Sequence, residues 1–312
     1  MSRVLVISAS ILHIAIAHHA LAQTNSFSAP NPFGPDTPGA SHAEKDLRVF
    51  GPNPNGWLFP ITTVNESLPC WIQFGTQFRD RTESQGGLGY RNVTDGYNLT
   101  QLRVGIYIQP TKWLKILGVT QDARVFFNRH IPEASPYQNI WDVREAYLQI
   151  GSSNEGWFDV VAGRQMFSFG DERVIGPSDW SNQGRTFDTV RLDLHRPSVK
   201  VSIFAASVIN AVDGEIDHHI QGNNIYGIYG SLTHLIPHTT VEPYVLWRVA
   251  PGNVPLPETA GRGHLSEVTT GIRAAGRLPA NFDYDVEMNK QNGSLGPDSI
   301  DAWAEHWNGS TV

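Results

Sequence analysis

Residues 159–195, DVVAGRQMFSFGDERVIGPSDWSNQGRTFDTVRLDLH, carry the strongest pattern in the chain. Two segments, 158–169 and 187–195, alternate apolar and polar residues, which predicts two β-strands. The loop between them carries charges of both signs, at Asp171, Glu172, Arg173, Asp179, Arg185 and Asp188. An enzyme could place such a loop over a catalytic cleft, whereas a membrane β-barrel could fold it inward to narrow a channel. The rest of the chain has to decide between these two interpretations.

The same alternation recurs along the chain from residue 70 onward. In the first run, Ile72, Phe74 and Phe78 fall on one face, and polar residues, including Arg79, fall on the other. Comparable runs continue to the end and predict about twelve antiparallel strands of roughly ten residues, a length that crosses a bilayer when tilted. The sequence therefore predicts an all-β fold.

Alternation alone fits a soluble β-sandwich as well as a membrane barrel. Two features favour the barrel: the polar face repeatedly carries Arg beside Asp or Glu, and aromatic residues stand near predicted strand ends, as in membrane-interface girdles. These aromatic residues are Trp71, Tyr97, Trp113, Tyr137, Trp141 and Trp157.

The composition is compatible with a membrane barrel and gives no sign of a nucleic-acid partner. The 312 residues carry a net charge of −7, and the mean hydropathy of −0.27 suits a barrel whose strands alternate lipid-facing and lumen-facing residues. No segment after the N-terminus reaches the roughly 18 apolar residues of a transmembrane helix.

The N-terminal sequence MSRVLVISASILHIAIAHHALAQ predicts a cleaved signal peptide over residues 1–22. It has a positive charge at Arg3, an apolar region, and small residues at Ala20 and Ala22. Residues 23–69 are rich in Pro, Gly, Asn and Ser and predict an irregular extension. The barrel domain is expected over 70–307 and a polar tail over 308–312.

Enzymatic and metal-binding alternatives have weaker support. The acidic residues of the 166–188 region resemble a glycosidase pair only in composition, and acids in a charged loop are more often solvated or ion-paired. His218 and His219 adjoin three acids, but consecutive residues of an extended chain point to opposite sides. Cys70 has no partner for an internal disulfide. We therefore expect no catalytic residue, no metal and no cofactor.

Several motifs together resemble the alginate-export-type outer-membrane porins of Gram-negative bacteria. They are VTQDARVFFN, VREAYLQIG, AGRQMFSFGDERVIGPSDWSNQGRTFDTVRLD, VEPYVLWR and FDYDVEMNKQNGSLGPDSIDAWAEHW. The resemblance covers about residues 70–307. The resemblance implies a larger barrel, of about eighteen strands, with an arginine-rich constriction bordered by acids. Because about twelve strands are predicted here and no aromatic residue ends the chain, we expect an incomplete barrel with unpaired strand edges.

The candidate pore-lining residues come from the strand pattern and from the resemblance. Alternation predicts a lumen-facing ladder of Arg79, Arg103, Arg124, Arg191, Arg248 and Arg273. The resemblance implies lining roles for Arg124, Arg144, Glu145, Arg164, Arg173, Arg185, Asp188 and Arg191. Any single one of these arginines could equally be a structural partner of a carboxylate.

The resulting hypothesis is an outer-membrane porin that passes anionic saccharides, such as alginate-like uronates, or small anions by passive diffusion. Its expected partners are the anionic oligo- or polysaccharide, outer-membrane lipid and the barrel-assembly machinery. The alternatives are a secreted β-rich protein that binds or degrades polysaccharides, and a barrel that is not closed and performs no transport.

Overall fold

A computed structural model describes residues 4–12, 58–87, 90, 92–152, 156–256, 261–279 and 282–311. The elements are β1 (Val4–Leu12), β2 (Phe59–Pro60), α1 (Thr62–Asn65), β3 (Ile72–Gly86), β4 (Thr94–Thr111), β5 (Leu114–Phe126), β6 (Asn139–Gly151), β7 (Phe158–Gln165), β8 (Phe187–Arg196), β9 (Val199–Asn210), β10 (His218–Ile236), β11 (Thr239–Pro255), β12 (Arg262–Leu278), β13 (Phe282–Leu295) and β14 (Asp298–Thr311).

Strands β2 to β14 pair in chain order, each antiparallel to the next, so that one large sheet contains them all. The twelve strands from β3 to β14 confirm the predicted all-β antiparallel architecture. Among the described residues the two flanks of the sheet are occupied by β2, beside β3, and by β1, beside β14. No helix in this part of the chain has the length and hydropathy needed to cross a membrane.

The connections at the two ends of the sheet differ in length. At one end, here the turn end, residues 112–113, 197–198 and 237–238 join strands by two-residue turns. At the other, the loop end, strands are joined by 127–138 and by the long segment 166–186, although β13 and β14 are joined there by the two residues 296–297. Short turns on one side and longer loops on the other are typical of outer-membrane barrels.

The two faces of the sheet differ in the polarity and the exposure of their side chains. On β4, Leu102 and Val104 are each 37% exposed, whereas Gln101 and Arg103 on the opposite face are 1% and 4% exposed. We call the face of Gln101 and Arg103 the inner face, and that of Leu102 the outer face. A soluble sandwich buries its apolar face, so this reversed arrangement matches a barrel in lipid.

The aromatic residues expected at the membrane interfaces divide into two groups. Trp71, Trp113 and Trp157 are exposed and lie at the turn end, and Trp141 is exposed near the start of β6 at the loop end, as girdles at two interfaces require. Tyr97, however, is buried on the inner face, edge-on to Tyr137 at 5.7 Å. The interface interpretation is wrong for these two tyrosines, because Tyr97 occupies an inward-facing position of β4.

The N-terminal part contains more structure than its composition indicates. Residues 58–69, expected to be irregular, include β2 and α1. The Asn65 side chain exchanges hydrogen bonds with the backbone N–H and C=O of Phe74, at 2.7 and 3.0 Å, and so occupies part of the β3 edge. Leu58 is buried on the inner face with Tyr107 and Val119. This segment therefore covers part of one flank of the sheet.

Two further predictions concern the ends of the chain. Val4–Leu12, within the predicted signal peptide, pairs parallel with β14, and the leader itself stays a prediction. The expected polar tail is wrong for residues 308–311, because β14 continues to Thr311 in register with Phe282 of β13. Backbone pairing extended the strand where side-chain polarity had indicated a tail. Val312 lies outside the described residues.

Candidate functional site

Residues 166–186, here the inward loop, leave the sheet after β7 and fold onto its inner face. Phe167 and Ile175 enter a buried cluster with strand residues that include Phe204 and Tyr229. Phe169 stacks on Tyr229, with ring centroids 4.4 Å apart. The sequence had predicted a strand that reaches residue 169, but β7 ends at Gln165. The chain leaves the strand there because Phe167 and Phe169 pack into the aromatic cluster instead.

Polar side chains of β3 to β5 hold the other half of the inward loop through its backbone. Arg79 donates to the carbonyls of Asp179 and Ser181, at 2.8 and 2.9 Å. Two buried glutamines do the same for the next two carbonyls, as the bonds Gln101 Nε2 to Asn182 O (2.6 Å) and Gln121 Nε2 to Gln183 O (2.8 Å). The loop is therefore fixed by groups from three separate strands.

The charged centre of the site is Asp179, which we group with Arg79, Arg103 and Arg144 as the arginine node. The Asp179 carboxylate lies 2.6 Å from the Arg103 guanidinium and 3.5 Å from that of Arg144. Burial by itself would raise the pKa of Asp179. The charge and hydrogen bond of Arg103, aided by Arg144 and Arg79, outweigh burial and hold that pKa below its ordinary value.

A β-bulge explains how Arg144 and Glu145 both reach the inner face. Val119 pairs with Glu145 but Thr120 pairs with Val143, so Arg144 is the extra residue. Such a bulge re-aims a side chain that strict alternation would send to the other face. Both side chains are buried, and the backbone N–H of Met166, at the start of the inward loop, donates to Glu145 at 3.4 Å.

A second group of inward-facing arginines lies farther along the sheet, and each contacts an acid. Arg273 reaches Glu242 at 2.5 Å and also contacts Asp285. Arg191 pairs with Asp193 at 2.8 Å and lies over the Phe167 ring. The Arg248 guanidinium is 3.7 Å from Glu267, and its side chain is 43% exposed.

Three predicted residues lie by register on the outer face. Arg124 pairs with Thr100 across the sheet and binds Asp122 at 2.7 Å. Arg164 and Asp188 face each other in register, 3.0 Å apart, on the side of exposed Val190. These positions separate the three from the arginine node.

The connection 211–217 covers Arg164 at the loop end. The Arg164 guanidinium donates to the carbonyl of Asp217 at 2.7 Å. The carboxylate of Asp217 in turn accepts from Asn139 and from the backbone of Val212, at 2.8 and 2.9 Å. Burial, and after it the neighbouring Asp142, raises the pKa of Asp217 to about 6.

The last two predicted residues belong to the inward loop itself. Arg173 binds Asp171 at 2.8 Å and contacts His306 of β14 at 2.6 Å. Arg185 is exposed, and its backbone N–H donates to Pro177 at 2.5 Å.

The sequence did not identify the amide residues that position the loop. Gln101, Gln121 and Asn182 are among its most buried side chains, and Asn182 Nδ2 donates to Tyr137 O at 2.8 Å. The sequence did contain a signal, because glutamine recurs at inward positions of β3 to β5. A face exposed only to solvent would carry varied polar residues and would not favour glutamine.

The acids of this region are arranged as partners of arginine. Asp171, Asp179 and Asp188 each pair with an arginine rather than with one another. Within the described ranges, no group of three or more His, Cys, Asp or Glu side chains is arranged to hold a metal ion. The arrangement is suited to attracting and releasing anions, because arginine stays charged and its planar fork matches a carboxylate.

Comparison with known proteins gives one clear result. The family model described as alginate export matches residues 70–310, most of the chain. A search of curated proteins finds no match.

Proposed function

The chain belongs to the alginate export family, whose members are outer-membrane porins, and we propose that its inner face passes anionic saccharides or small anions by passive diffusion. The family is one of transport proteins rather than of enzymes. The observation that carries the finer proposal is the arginine node, where Arg103 and Arg144 contact the Asp179 carboxylate and Arg79 holds its backbone carbonyl.

The two kinds of inward arginine would act differently on a solute. Arg103 and Arg144 are buried and paired with Asp179, so they set a positive potential and hold the loop. Arg248 and Arg277 are partly exposed on the inner face and can touch a passing carboxylate. Their acidic partners, Glu267 and Asp283, compete with the solute and keep each contact weak enough to release.

The proposal does not need every candidate from the sequence. Pore lining is proposed for Arg79, Arg103, Arg144, Glu145, Arg191, Arg248 and Arg273, with Arg173 and Arg185 contributed by the inward loop. Arg277 is proposed as well, because its register with Asp283 puts it on the inner face. Arg124, Arg164 and Asp188 are left out, because their register places them on the outer face.

The secreted, polysaccharide-binding alternative has less support. Its solvent-facing surface would carry polar side chains, yet large apolar residues such as Leu102, Ile228 and Val190 are exposed along the outer face. Such a surface needs lipid or detergent. Stability in plain buffer without detergent would favour the alternative.

The direct test is ion selectivity in planar bilayers, comparing wild type with Arg248→Gln. We expect anion-selective conductance for wild type, and a two- to fivefold weaker block by an oligouronate for Arg248→Gln, roughly the effect of one partly exposed charge. Arg124→Gln is the matched control, because it removes the same charge from the outer face. Cation selectivity of wild type, or equal effects of both substitutions, would contradict the proposal.

A further inference from the structure

A separate cavity lies at the loop end of the inner face, beside the arginine node. It has a volume of about 550 Å³ and is bounded by β3, β4, the 127–138 connection and residues 178–182 of the inward loop. This volume is within the range of about 300–1,000 Å³ that small-molecule sites occupy. None of the three node arginines lines it.

The charges of this cavity cancel, in contrast to those of the arginine node. Its charged lining residues are Arg81 and Glu83, which form an ion pair at 2.6 Å. Tyr97 donates its hydroxyl to Glu83 at 2.8 Å. The other polar lining groups are hydroxyls and amides, from Ser84, Gln85, Tyr137, Ser178, Ser181 and Asn182. The cavity therefore offers hydrogen bonds without a net charge.

Trp180 gives this polar cavity an apolar platform. Its side chain is 77% exposed, and the Arg81 guanidinium covers one ring face at 4.3 Å from the centroid. Arg81 also donates to the Trp180 carbonyl at 2.8 Å, which fixes the residue from the backbone side. The opposite ring face is left to solvent. An indole whose negative face is held open attracts the C–H face of a sugar ring, while the nearby hydroxyls and amides suit its hydroxyl groups.

We propose that this cavity is a saccharide-binding subsite that recognises the sugar ring through Trp180 and does not require its carboxylate. The inference rests on the proposed function, because a saccharide must reach the inner face. Trp180 directly follows Asp179 in the loop, so a neutral subsite adjoins the charged node. One unit of a saccharide chain stacks on Trp180 while a neighbouring unit lies in the positive potential of the arginine node.

The test measures binding to the detergent-solubilised full chain by calorimetry, with a tri-uronate and with the same trisaccharide after reduction of its carboxyl groups. Trp180→Ala is expected to weaken binding of both sugars by about five- to tenfold, the scale of one aromatic contact. Trp180→Phe keeps a stacking ring and is expected to stay within about threefold of wild type. Trp141→Ala removes another exposed indole, one that does not line the cavity, and should leave both affinities unchanged.

The outcomes separate this inference from the proposed function. Unchanged affinities for Trp180→Ala, or a loss confined to the charged sugar, overturn the subsite, and so does a wild type that binds neither sugar. Bilayer conductance of the same preparations reports on the channel independently: anion-selective steps in wild type uphold the porin even where the subsite fails. Circular dichroism in detergent confirms that the variants are folded, as expected for an exposed side chain.

Discussion

Asp179 matters more than its single charge suggests. Its carboxylate contacts Arg103 and Arg144, and its carbonyl accepts from Arg79. Removing one partner from a buried ion pair is strongly destabilising, because the remaining charges stay out of water without compensation. By contrast, both side chains of the Asp171–Arg173 pair in the same loop are more than a third exposed, so solvent screens their attraction.

Asp179→Asn is therefore expected to loosen the inward loop, at a cost of roughly 3 kcal/mol in unfolding free energy. The measurements are the urea midpoint in detergent and the rate of protease cleavage within residues 166–186. Asp171→Asn, the matched control in the same loop, should cost less than about 1 kcal/mol. Similar values for the two variants would show that the arginine node does not hold the loop.

Residue by residue, alternation succeeded where one face of a strand is uniformly polar. It correctly placed Arg79, Arg103 and Arg273 together on the inner face of the sheet. It failed at Arg124, because inward positions of β5 also carry apolar residues, among them Leu117 and Val119, which pack with Leu58. A period of two identifies a strand, but it cannot say which face is inside when both carry apolar residues.

At the scale of elements, the docking of the inward loop was not predictable from local sequence. The alternating segments around it and its mixed charges were visible, but its contacts come from strands far away along the chain. The other covering element, residues 211–217, was missed for a similar reason. It is fixed by Asp217, whose backbone N–H donates to Asp142 at 3.0 Å and whose carbonyl binds Arg164.

The connection 211–217 makes the stability of the protein depend on pH. Because the pKa of Asp217 rises from an ordinary value of 3.8 to about 6 on folding, the folded state binds a proton more tightly than the unfolded state. This contribution to stability is present below about pH 4 and is lost as the pH rises towards 6, by an amount of the order of 1–3 kcal/mol. Asp217→Asn should flatten this part of the pH profile of thermal unfolding in detergent.

Asp213→Asn provides the control for that measurement. Asp213 lies in the same connection and accepts hydrogen bonds from Gln138 and from the backbone of Ile140, both at 2.9 Å. The pH slope between 4 and 6 should persist in this variant. If Asp217→Asn kept the wild-type slope, another group would be responsible for it.

For the whole molecule, the sequence was sufficient to predict an antiparallel all-β sheet and its approximate strand number. Periodicity of two and strand length carry that information over many segments, so errors at single residues do not change the result. The buried contacts of the inner face, such as those between Leu58 and β4, depend on residues distant in sequence and required the structure.

The outer face gives the prediction that belongs to this scale. Ile228 lies near the middle of β10 and is 53% exposed on the outer face. Ile228→Arg should cost about 2–4 kcal/mol of stability in vesicles, because the charge would face lipid at the bilayer centre. Gln291→Arg on the inner face is the control, since polar positions of a lumen accept charge. The urea midpoint after folding into vesicles, checked by heat-modifiable gel mobility, measures both variants.

Equal destabilisation by the two arginines would mean that both faces see a similar medium. In that case the outer face would not be a lipid surface, and the membrane assignment of this strand would be wrong. The expected result is that Gln291→Arg lowers the stability less than Ile228→Arg does.

The contacts that hold the inward loop also bear on when it docks during folding. Hairpins such as β4–β5 close over a few residues, but the Arg79 to Asp179 contact closes a loop of 100 residues, and Gln101 to Asn182 closes one of 81. Contacts of such long sequence separation form late, because their closure entropy is recovered only once the strands around them are in place. We therefore expect the sheet to assemble before the inward loop docks on its inner face, and the arginine node to form late in folding.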